Sequence, residues 1–303
     1  MKIDGYTRMA AVIAHPIRHS ISPFIHNLAY ELTATNAAYL AWDIAEEDLE
    51  STVSQIRKLD MIGANISMPF KQKVFPYLDE VDEMALKIGS VNTIVHRDGK
   101  LKGYNTDGIG FFRSLPPAFS IKGKTMVLLG AGGAALAIIA QAIHLGVKRI
   151  LVFVREERLV HYRSIVQLIE DGFDFLIELY AIEKNEDVQS SFHQADLILN
   201  ATGVGMDSES LPIASHLTFP PHALIVEMAY YPAVTPFLQL AVNQGNQRVN
   251  GLGMLFYQAE AAFELMTGKV FPTESVWEAL TTEYRKFVCD EERGLPFPIE
   301  KAL

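Results

Sequence analysis

Lys71 and Asp107 are the residues whose types and positions best fit acid–base chemistry. Lys71 opens the turn after the apolar, strand-like segment 61–67, and Asp107 follows another strand-like segment, 101–104. A lysine beside a carboxylate can take a proton from a hydroxyl group or return one to a ketone. A single lysine is more often a solvated surface residue, and an Asp before glycine commonly caps a helix. The side chains nearby therefore have to distinguish a site from an ordinary surface.

Hydroxyl and amide groups accompany this pair. Ser20 and Ser22 stand two residues apart just before a predicted helix, where hydroxyls and free backbone N–H groups can bind a carboxylate. The alternative is that Ser22 is only the N-cap of that helix and Ser20 a loop residue. Asn65 and Ser67 share one face of a predicted strand, and Asn92 lies in a further polar cluster. One cation, one carboxylate, amides and hydroxyls together suit a small polyhydroxylated acid.

A glycine turn in the middle of the chain indicates a nucleotide site. A buried strand, the turn Gly130-Ala131-Gly132-Gly133-Ala134, an apolar helix and a second β-branched strand follow one another within residues 126–154. This is the order of the mononucleotide-binding βαβ unit. Gly130 allows a tight turn, and Gly132 lets the backbone approach a pyrophosphate at the helix N-terminus. The alternative is a glycine-rich turn that binds nothing, which the flanking strands make less favourable.

The elements that must position these groups alternate between strand and helix patterns, which predicts parallel sheets covered by helices. The predicted fold class is α/β, with an N-terminal, mostly parallel substrate domain and a Rossmann dinucleotide-binding domain. Residues 1–115 form the predicted substrate-binding and catalytic domain, and Leu115-Pro116-Pro117 marks its end. Residues 120–250 form the predicted Rossmann domain, and the C-terminal helices in 251–303 are predicted to return to the first domain.

Composition limits the function classes further. The formal net charge of −10, with no stripe of Lys and Arg, argues against a nucleic-acid partner. Cys289 is the only cysteine of the sequence, so neither a disulfide framework nor a cysteine metal site is predicted. No apolar run reaches the ~18 residues of a membrane helix, and no signal-peptide pattern is present. We therefore expect a cytoplasmic protein without a membrane partner and without a metal.

These motifs stand in the same order as those of the shikimate dehydrogenase family, which the sequence resembles from about residue 10 to residue 268. The matching motifs are Pro16-x-x-His19-Ser20-x-Ser22-Pro23, Asn65-x-Ser67-x-Pro69-x-Lys71, Val91-Asn92-Thr93, Gly103-x-Asn105-Thr106-Asp107, Gly130-Ala131-Gly132-Gly133-Ala134, Asn200-Ala201-Thr202-x-x-Gly205-Met206 and Gly251-x-Gly253-Met254-Leu255-x-x-Gln258. Within the family the sequence is most similar to the quinate/shikimate dehydrogenase branch. It departs at Ser67, where the family often has threonine, and at Glu227, where the family has a strand-end Asp.

The resemblance implies a role for each matching residue. Lys71 and Asp107 would be the catalytic acid–base pair, and which of them holds the proton is left open by the sequence. The implied substrate-binding residues are Ser20, Ser22, Ser67, Asn92, Tyr230 and Gln258. The implied cofactor-binding residues are Gly130, Ala131, Gly132, Gly133, Ala134, Arg155, Glu156, Glu157, Thr202, Gly203, Met228 and Gly253.

The implied activity is an NAD(P)-dependent oxidation in the shikimate pathway of aromatic amino acid biosynthesis. It would interconvert shikimate and 3-dehydroshikimate, quinate and 3-dehydroquinate, or both pairs, in a monomer or a homodimer. The alternative hypothesis is a non-catalytic dinucleotide-binding protein that senses a metabolite. The Lys71–Asp107 pair favours the enzyme, because a sensor needs no proton acceptor.

The end of the second Rossmann strand predicts a preference for NAD over NADP. Glu156 or Glu157 can accept hydrogen bonds from the ribose 2′-hydroxyl of NAD. The same carboxylate would repel a 2′-phosphate by about 4 kcal/mol per unit-charge pair before screening. Arg155 acts in the opposite direction, so some use of NADP is expected.

Overall fold

The computed structural model describes residues 3–17 and 20–288 of the 303-residue chain. Arg18, His19 and Cys289 lie outside the described residues, as does the rest of the predicted C-terminal segment beyond them. The chain divides into two units. The first contains residues 1–110 and 256–283, and the second contains residues 111–255 and 284–303.

The first part of the chain, up to helix α4, begins with strand β1 after a short N-terminal turn. In chain order they are β1 Arg8–Ala14, α1 Ser22–Leu32, β2 Ala37–Asp43, α2 Leu49–Lys58, β3 Gly63–Ile66, β4 Glu80–Val81, α3 Glu83–Ile88, β5 Thr93–Arg97, β6 Lys100–Tyr104 and α4 Asp107–Ser114. The strands form one sheet in the order β2-β1-β3-β5-β6-β4. β1 pairs in parallel with β2 and β3, and β4 with β6, whereas β5 is antiparallel to β3 and β6.

Local sequence accounts for the turns of this sheet. The β5–β6 hairpin turns at Asp98 and Gly99, whose φ angles of 52° and 75° are those of the type I′ turn that the Asp-Gly pair predicts. Helix α1 differs from the prediction. Ser22 is its first helical residue rather than its N-cap, and the cap position is Ile21, which makes no side-chain hydrogen bond. Pro23 occupies the first turn, where its missing N–H costs nothing.

The second unit is built on a fully parallel sheet. Its elements are β7 Thr125–Leu129, α5 Gly133–His144, β8 Arg149–Val154, α6 Leu159–Phe173, β9 Glu178–Ala181, α7 Asn185–His193, β10 Leu197–Asn200, β11 Leu224–Glu227, α8 Pro236–Asn243 and β12 Arg248–Val249. Two helices follow in the chain, α9 Leu252–Thr267 and α10 Thr273–Val288, and residues 256–283, which make up most of both, belong to the first unit. The strand order β12-β11-β10-β7-β8-β9 is that of the Rossmann fold. The predicted α/β class with a Rossmann sheet is confirmed.

Two helices escaped the sequence prediction. Helix α7 has only Val188 and Phe192 as large apolar residues on its buried face, too few to give a clear helical period. Helix α3 is short, and its N-cap is Asp82, whose carboxylate accepts the Met84 N–H. Its start is therefore fixed by a cap rather than by an apolar stripe.

Two classes of feature are not found in the part of the chain that the structure describes. No helix there is both long and apolar enough to cross a membrane. Within the same residues, no group of three or more His, Cys, Asp or Glu side chains is placed to hold a metal ion.

Candidate active site

The Lys71 and Asp107 side chains form a short ion pair in the first unit. Lys71 Nζ lies 2.6 Å from Asp107 Oδ2, and the two side chains are 17% and 7% exposed. Asp107 begins helix α4 directly after β6. Lys71 is held by the turn after β3, where its carbonyl accepts the Val91 N–H and where fully buried Phe70 anchors the chain. The predicted pair is therefore brought together from two strand ends.

Asn92 connects this pair to its surroundings. Asn92 Nδ2 donates to Asp107 Oδ1 at 2.8 Å and to Thr106 Oγ1 at 3.0 Å. Its Oδ1 accepts the Thr106 backbone N–H at 2.8 Å and the Thr93 hydroxyl at 2.9 Å. Because both ends of the amide have fixed partners, Asn92 can present only its N–H groups to the carboxylate. Each oxygen of Asp107 thus has a defined donor.

A second set of polar side chains stands behind Asn92, and the sequence interpretation gave none of them a role. Asn65 Nδ2 donates to Thr93 Oγ1 at 3.1 Å, and the Tyr39 hydroxyl donates to Asn65 Oδ1 at 2.6 Å. Thr106 Oγ1 also donates to the backbone carbonyl of Gln258 at 3.1 Å. Asn65 and Thr106 stand in the family motifs, which is the signal that could have found them. Tyr39 lies in a segment without any such pattern.

The predicted carboxylate-binding serines lie at the start of α1. The Ser20 hydroxyl accepts the Ser22 backbone N–H at 3.3 Å, and Ser22 is buried. Ser67 is half-buried after β3, with its N–H donated to the Ile13 carbonyl. None of these three hydroxyls forms a hydrogen bond with the Lys71–Asp107 pair among the residues that the structure describes. The half-buried Gln258 side chain is carried by α9.

The glycine turn of the second unit has the shape that a pyrophosphate needs. Gly130 has a φ of 94°, and a Cβ there would lie 2.9 Å from the Ala201 carbonyl oxygen, so only glycine fits. Gly132 occupies the cap position of the 12-residue helix α5 and provides no side-chain cap. A Cβ at Gly132 would meet nothing within 4 Å. The helix N-terminus is therefore open, with free N–H groups for an anion. Ala131 is buried, and Gly133 and Ala134 are half-buried in the first turn.

The other residues assigned to the cofactor lie in loops at the ends of β10 and β11 or at the start of α9. Thr202 Oγ1 donates to Asn200 Oδ1 at 2.7 Å, and exposed Gly203 follows with a φ of 76°. Half-buried Met228 donates its N–H to the Asn200 carbonyl. Gly253 is buried in the first turn of α9.

Tyr230 is the predicted substrate residue that belongs to the second unit. Its carbonyl accepts a hydrogen bond from the hydroxyl of Tyr284, in the same unit. Burial raises the pKa of the Tyr230 phenol. The remaining predicted substrate residues belong to the first unit.

Arg155, Glu156 and Glu157 follow β8 and are all exposed. Arg155 Nη1 lies 3.2 Å from Glu157 Oε1, with the two side chains 65% and 67% exposed. The Glu156 backbone N–H is donated to Glu183 Oε2 at 3.0 Å. The segment thus presents a guanidinium that is paired with one of its two carboxylates.

These features define an α/β protein that combines a Rossmann-type nucleotide-binding unit with a buried Lys–Asp pair. Two family models match the chain. Residues 12–94 match the shikimate dehydrogenase substrate binding domain, and residues 251–281 match the shikimate 5′-dehydrogenase C-terminal domain. The chain belongs to the shikimate dehydrogenase family, as its relatives also show.

Curated relatives and a solved structure resemble the chain over almost its whole length. The shikimate dehydrogenase (NADP(+)) of Streptococcus gordonii is 57% identical over 92% of this chain and 98% of its own. The shikimate dehydrogenase (NADP(+)) of Streptococcus pneumoniae is 52% identical over 94% of this chain and 100% of its own. A structure of shikimate 5-dehydrogenase from Listeria monocytogenes, in complex with shikimate and NAD, has a TM-score of 0.87 and 37% identity, over 92% of this chain and 98% of that one. The hypothesis of a non-catalytic sensor gains no support, because all three are named as dehydrogenases.

The prediction that NAD is the preferred cofactor is wrong. Both streptococcal relatives are named for NADP(+). The charge argument treated Glu156 and Glu157 as unpaired carboxylates, whereas Glu157 is paired with Arg155. An arginine at this position can accommodate a 2′-phosphate, and the paired carboxylate repels that phosphate less than a free one.

Proposed function

We propose that the protein is a shikimate dehydrogenase that interconverts shikimate and 3-dehydroshikimate with NADP(H). The observation that carries this proposal is the Lys71–Asp107 pair, with Nζ and Oδ2 2.6 Å apart and Asn92 on the other carboxylate oxygen. Oxidation of a secondary alcohol needs a proton acceptor beside the reacting hydroxyl. The pair supplies one in a half-buried setting, where its charges are little screened by water.

Lys71 is the proposed group that takes the hydroxyl proton. Bound NADP+ supplies the hydride acceptor for the carbinol carbon. In its neutral form Lys71 Nζ accepts the hydroxyl proton, and in the reverse direction the ammonium returns a proton to the ketone oxygen. Asp107 orients Nζ and stabilises its charged form through the 2.6 Å contact. Asn92 holds Asp107 in that orientation, since it donates to the other oxygen.

The remaining predicted residues bind the substrate in this proposal. Ser20 and Ser22 hold the substrate carboxylate with their hydroxyl groups, which can donate to it. The proposed contacts to the ring hydroxyls are Ser67, Tyr230 and Gln258, whereas Asn92, both ends of whose amide are already bonded, acts on the site through Asp107. Each of the three ring contacts supplies a hydroxyl or an amide, so each can donate as well as accept a hydrogen bond.

The cofactor binds the second unit in this proposal. The turn Gly130-Ala131-Gly132-Gly133-Ala134 receives the pyrophosphate, and Arg155 donates to the 2′-phosphate while it stays paired with Glu157, since a guanidinium has five N–H donors. Thr202, Gly203, Met228 and Gly253 are proposed to line the nicotinamide half. Gly132→Ala tests the pyrophosphate site, because the added Cβ meets no protein atom within 4 Å and φ is −68°. We expect an unchanged melting temperature and at least tenfold weaker NADPH binding; an unchanged affinity would remove Gly132 from the site.

Lys71→Met tests the reaction itself. General acid–base catalysis contributes a factor of about 10² to 10⁴, so kcat for shikimate oxidation should fall by that factor while NADPH binding persists. Lys73→Met is the matched control, because Lys73 stands two residues away and pairs with the exposed Glu46. Both variants are assayed by NADPH absorbance with shikimate. Equal activities in the two variants would exclude Lys71 from the mechanism.

Quinate is a second proposed substrate, because Ser67 lacks the methyl group of the family's common threonine. Quinate has a saturated ring and one more hydroxyl, so it needs more room. Ser67→Thr should reduce kcat/KM for quinate more than for shikimate, by an amount like the ~1–3 kcal/mol of one methylene in a pocket. Equal losses would show that position 67 does not set the preference, and a parent enzyme inactive on quinate would end this proposal.

A further inference from the structure

Glu227 is a fully buried carboxyl group that the proposed mechanism does not use. It is the last residue of β11 and has no exposed surface. Burial raises the pKa of its carboxyl to about 6, although neighbouring donors act in the opposite direction. A buried carboxyl without a cation is costly, so its neighbours have to explain why it is tolerated.

Three neutral donors surround the carboxylate. Oε2 accepts Asn200 Nδ2 at 2.7 Å and the Thr235 hydroxyl at 3.0 Å, and Oε1 accepts the Ala229 N–H at 3.1 Å. Among the described residues no Lys, Arg or His forms an ion pair with Glu227. The ionised carboxylate can accept all three bonds, whereas an amide would place an N–H group against a donor.

The contact with Asn200 orders the loop after β10. With Nδ2 on Glu227, Asn200 Oδ1 faces Thr202 and accepts both its N–H at 3.2 Å and its hydroxyl at 2.7 Å. The same Nδ2 also donates to the Val204 carbonyl at 3.0 Å. If the amide were reversed, its N–H groups would face the N–H and hydroxyl of Thr202, and its oxygen would face the Glu227 carboxylate and the Val204 carbonyl. Glu227 therefore fixes the conformation of the loop that carries Thr202.

The contacts with Ala229 and Thr235 order the segment after β11. The Ala229 carbonyl accepts the Gly251 N–H, and a Cβ at Gly251 would lie 1.9 Å from the Met228 carbonyl oxygen. The chain at Met228 is thus packed directly against the backbone at Gly251. Thr235 is the N-cap of α8, where its hydroxyl accepts the Leu238 N–H at 3.3 Å while donating to Glu227.

We infer that Glu227 is a positioning residue for the cofactor, whose carboxylate holds the Thr202–Gly203 loop and Met228 in the conformation that receives the nicotinamide half of NADP(H). The inference rests on the proposed function and names a residue that acts through others. Loss of the Glu227 carboxylate should weaken cofactor binding and leave the Lys71–Asp107 pair intact, because that pair and its neighbours belong to the first unit.

Glu227→Gln is the test, and Glu170→Gln is its matched control. Glu170 is also a buried carboxylate of the second unit; it accepts the Ile177 N–H at 2.7 Å, but it lies on α6 among none of the proposed cofactor residues. We expect both variants to lose stability. Only Glu227→Gln should raise the Kd of NADPH, measured by fluorescence, and the KM for NADP about tenfold, with kcat at saturating NADP and shikimate within twofold of the parent.

A Glu227→Gln variant whose NADPH affinity equals that of Glu170→Gln would overturn the inference. Glu227→Asp keeps the charge on a shorter side chain, so it should raise the Kd of NADPH only about threefold. This variant replaces Glu227→Gln in the test if Glu227→Gln does not fold. In that case a Kd of NADPH within 1.5-fold of the parent refutes the inference. If the parent protein itself binds no NADPH, the proposed function fails, and that outcome is distinct from either variant result.

Discussion

Removing either member of the Lys71–Asp107 pair should destabilise the protein, and removing both should cost less than the two single changes together. Asp107 is 7% exposed, so Lys71→Met leaves a nearly buried carboxylate whose remaining side-chain donor, within the part of the chain that the structure describes, is Asn92. Asp107→Asn leaves the Lys71 ammonium without its carboxylate partner. Its new amide N–H also faces either Lys71 Nζ or Asn92 Nδ2, both donors.

The size of the effect follows from the geometry. A hydrogen bond to a charged group contributes about 1.5–3 kcal/mol, and the Nζ–Oδ2 distance of 2.6 Å with low exposure favours the upper half of that range. We expect about 2–3 kcal/mol for each single variant. The double variant removes both charges, so a coupling of about 2 kcal/mol should remain in the double-mutant cycle.

Urea unfolding of the four proteins measures this coupling, with near-UV and far-UV circular dichroism as two probes whose transitions must coincide. Lys73→Met is the control and should change stability by less than about 0.5 kcal/mol, because its partner Glu46 is exposed. Activity gives a second reading: the double variant should be no less active than the poorer single variant. Stability changes that add within about 0.5 kcal/mol would refute the buried pair.

Further predictions concern burial, cofactor and packing. His26 is fully buried and stacks on Tyr39 with ring centroids 4.2 Å apart, and burial lowers its pKa to about 3. The stability that depends on neutral His26 is therefore present above pH 6.5 and lost as the pH falls toward 3. His26→Phe should reduce this loss, and an unchanged midpoint of acid unfolding contradicts the prediction. The raised pKa of Glu227 gives the opposite pH dependence: its protonation contributes about 2 kcal/mol to the free energy of unfolding below pH 4.5, and this contribution is lost as the pH rises through about 6. The difference in stability between the parent and Glu227→Gln should therefore be larger at pH 4.5 than at pH 7. Arg155→Ala should raise the KM for NADP about tenfold without changing that for shikimate, and a smaller rise than twofold would place the guanidinium away from the phosphate. Gly110→Ala should lower the melting temperature by several degrees, since its Cβ would lie 2.5 Å from the Gln258 backbone nitrogen; a stability within about 0.5 kcal/mol of the parent would mean that α9 can shift.

The sequence predicts the fold well where a short segment decides its own structure. Strand β1, for example, is an apolar run with the same bounds in the sequence and in the structure, Arg8–Ala14. Helix α8 is equally clear, because Thr235 caps it and Pro236 opens it. Helix α7 was missed because its order depends on two buried side chains, Val188 and Phe192, that touch other parts of the sheet. Such an element is stabilised by tertiary packing rather than by local propensity.

The candidate site shows the same division on a finer scale. Sequence identifies Lys71 and Asp107 as the reactive types, because both follow strand ends. It does not show that Asn65 and Tyr39 fix the Thr93 hydroxyl behind Asn92, since those contacts join residues far apart in the chain. Their partners can be read only from distances.

The choice between NAD and NADP shows physically why the sequence alone did not predict every property of the site. The residue types after β8 include both signs of charge, and the electrostatic energy of a bound phosphate depends on which charge is already paired. Arg155 and Glu157 neutralise each other at 3.2 Å, so the carboxylate that seemed to exclude a 2′-phosphate has a partner that can attract one. Glu227 is a second example: among the described residues it has no charged partner, yet three neutral donors stabilise its ionised form. The effect of a charge in this protein is therefore set by its hydrogen-bond and ion-pair partners, and residue types alone do not identify these partners, even where they lie only two residues away.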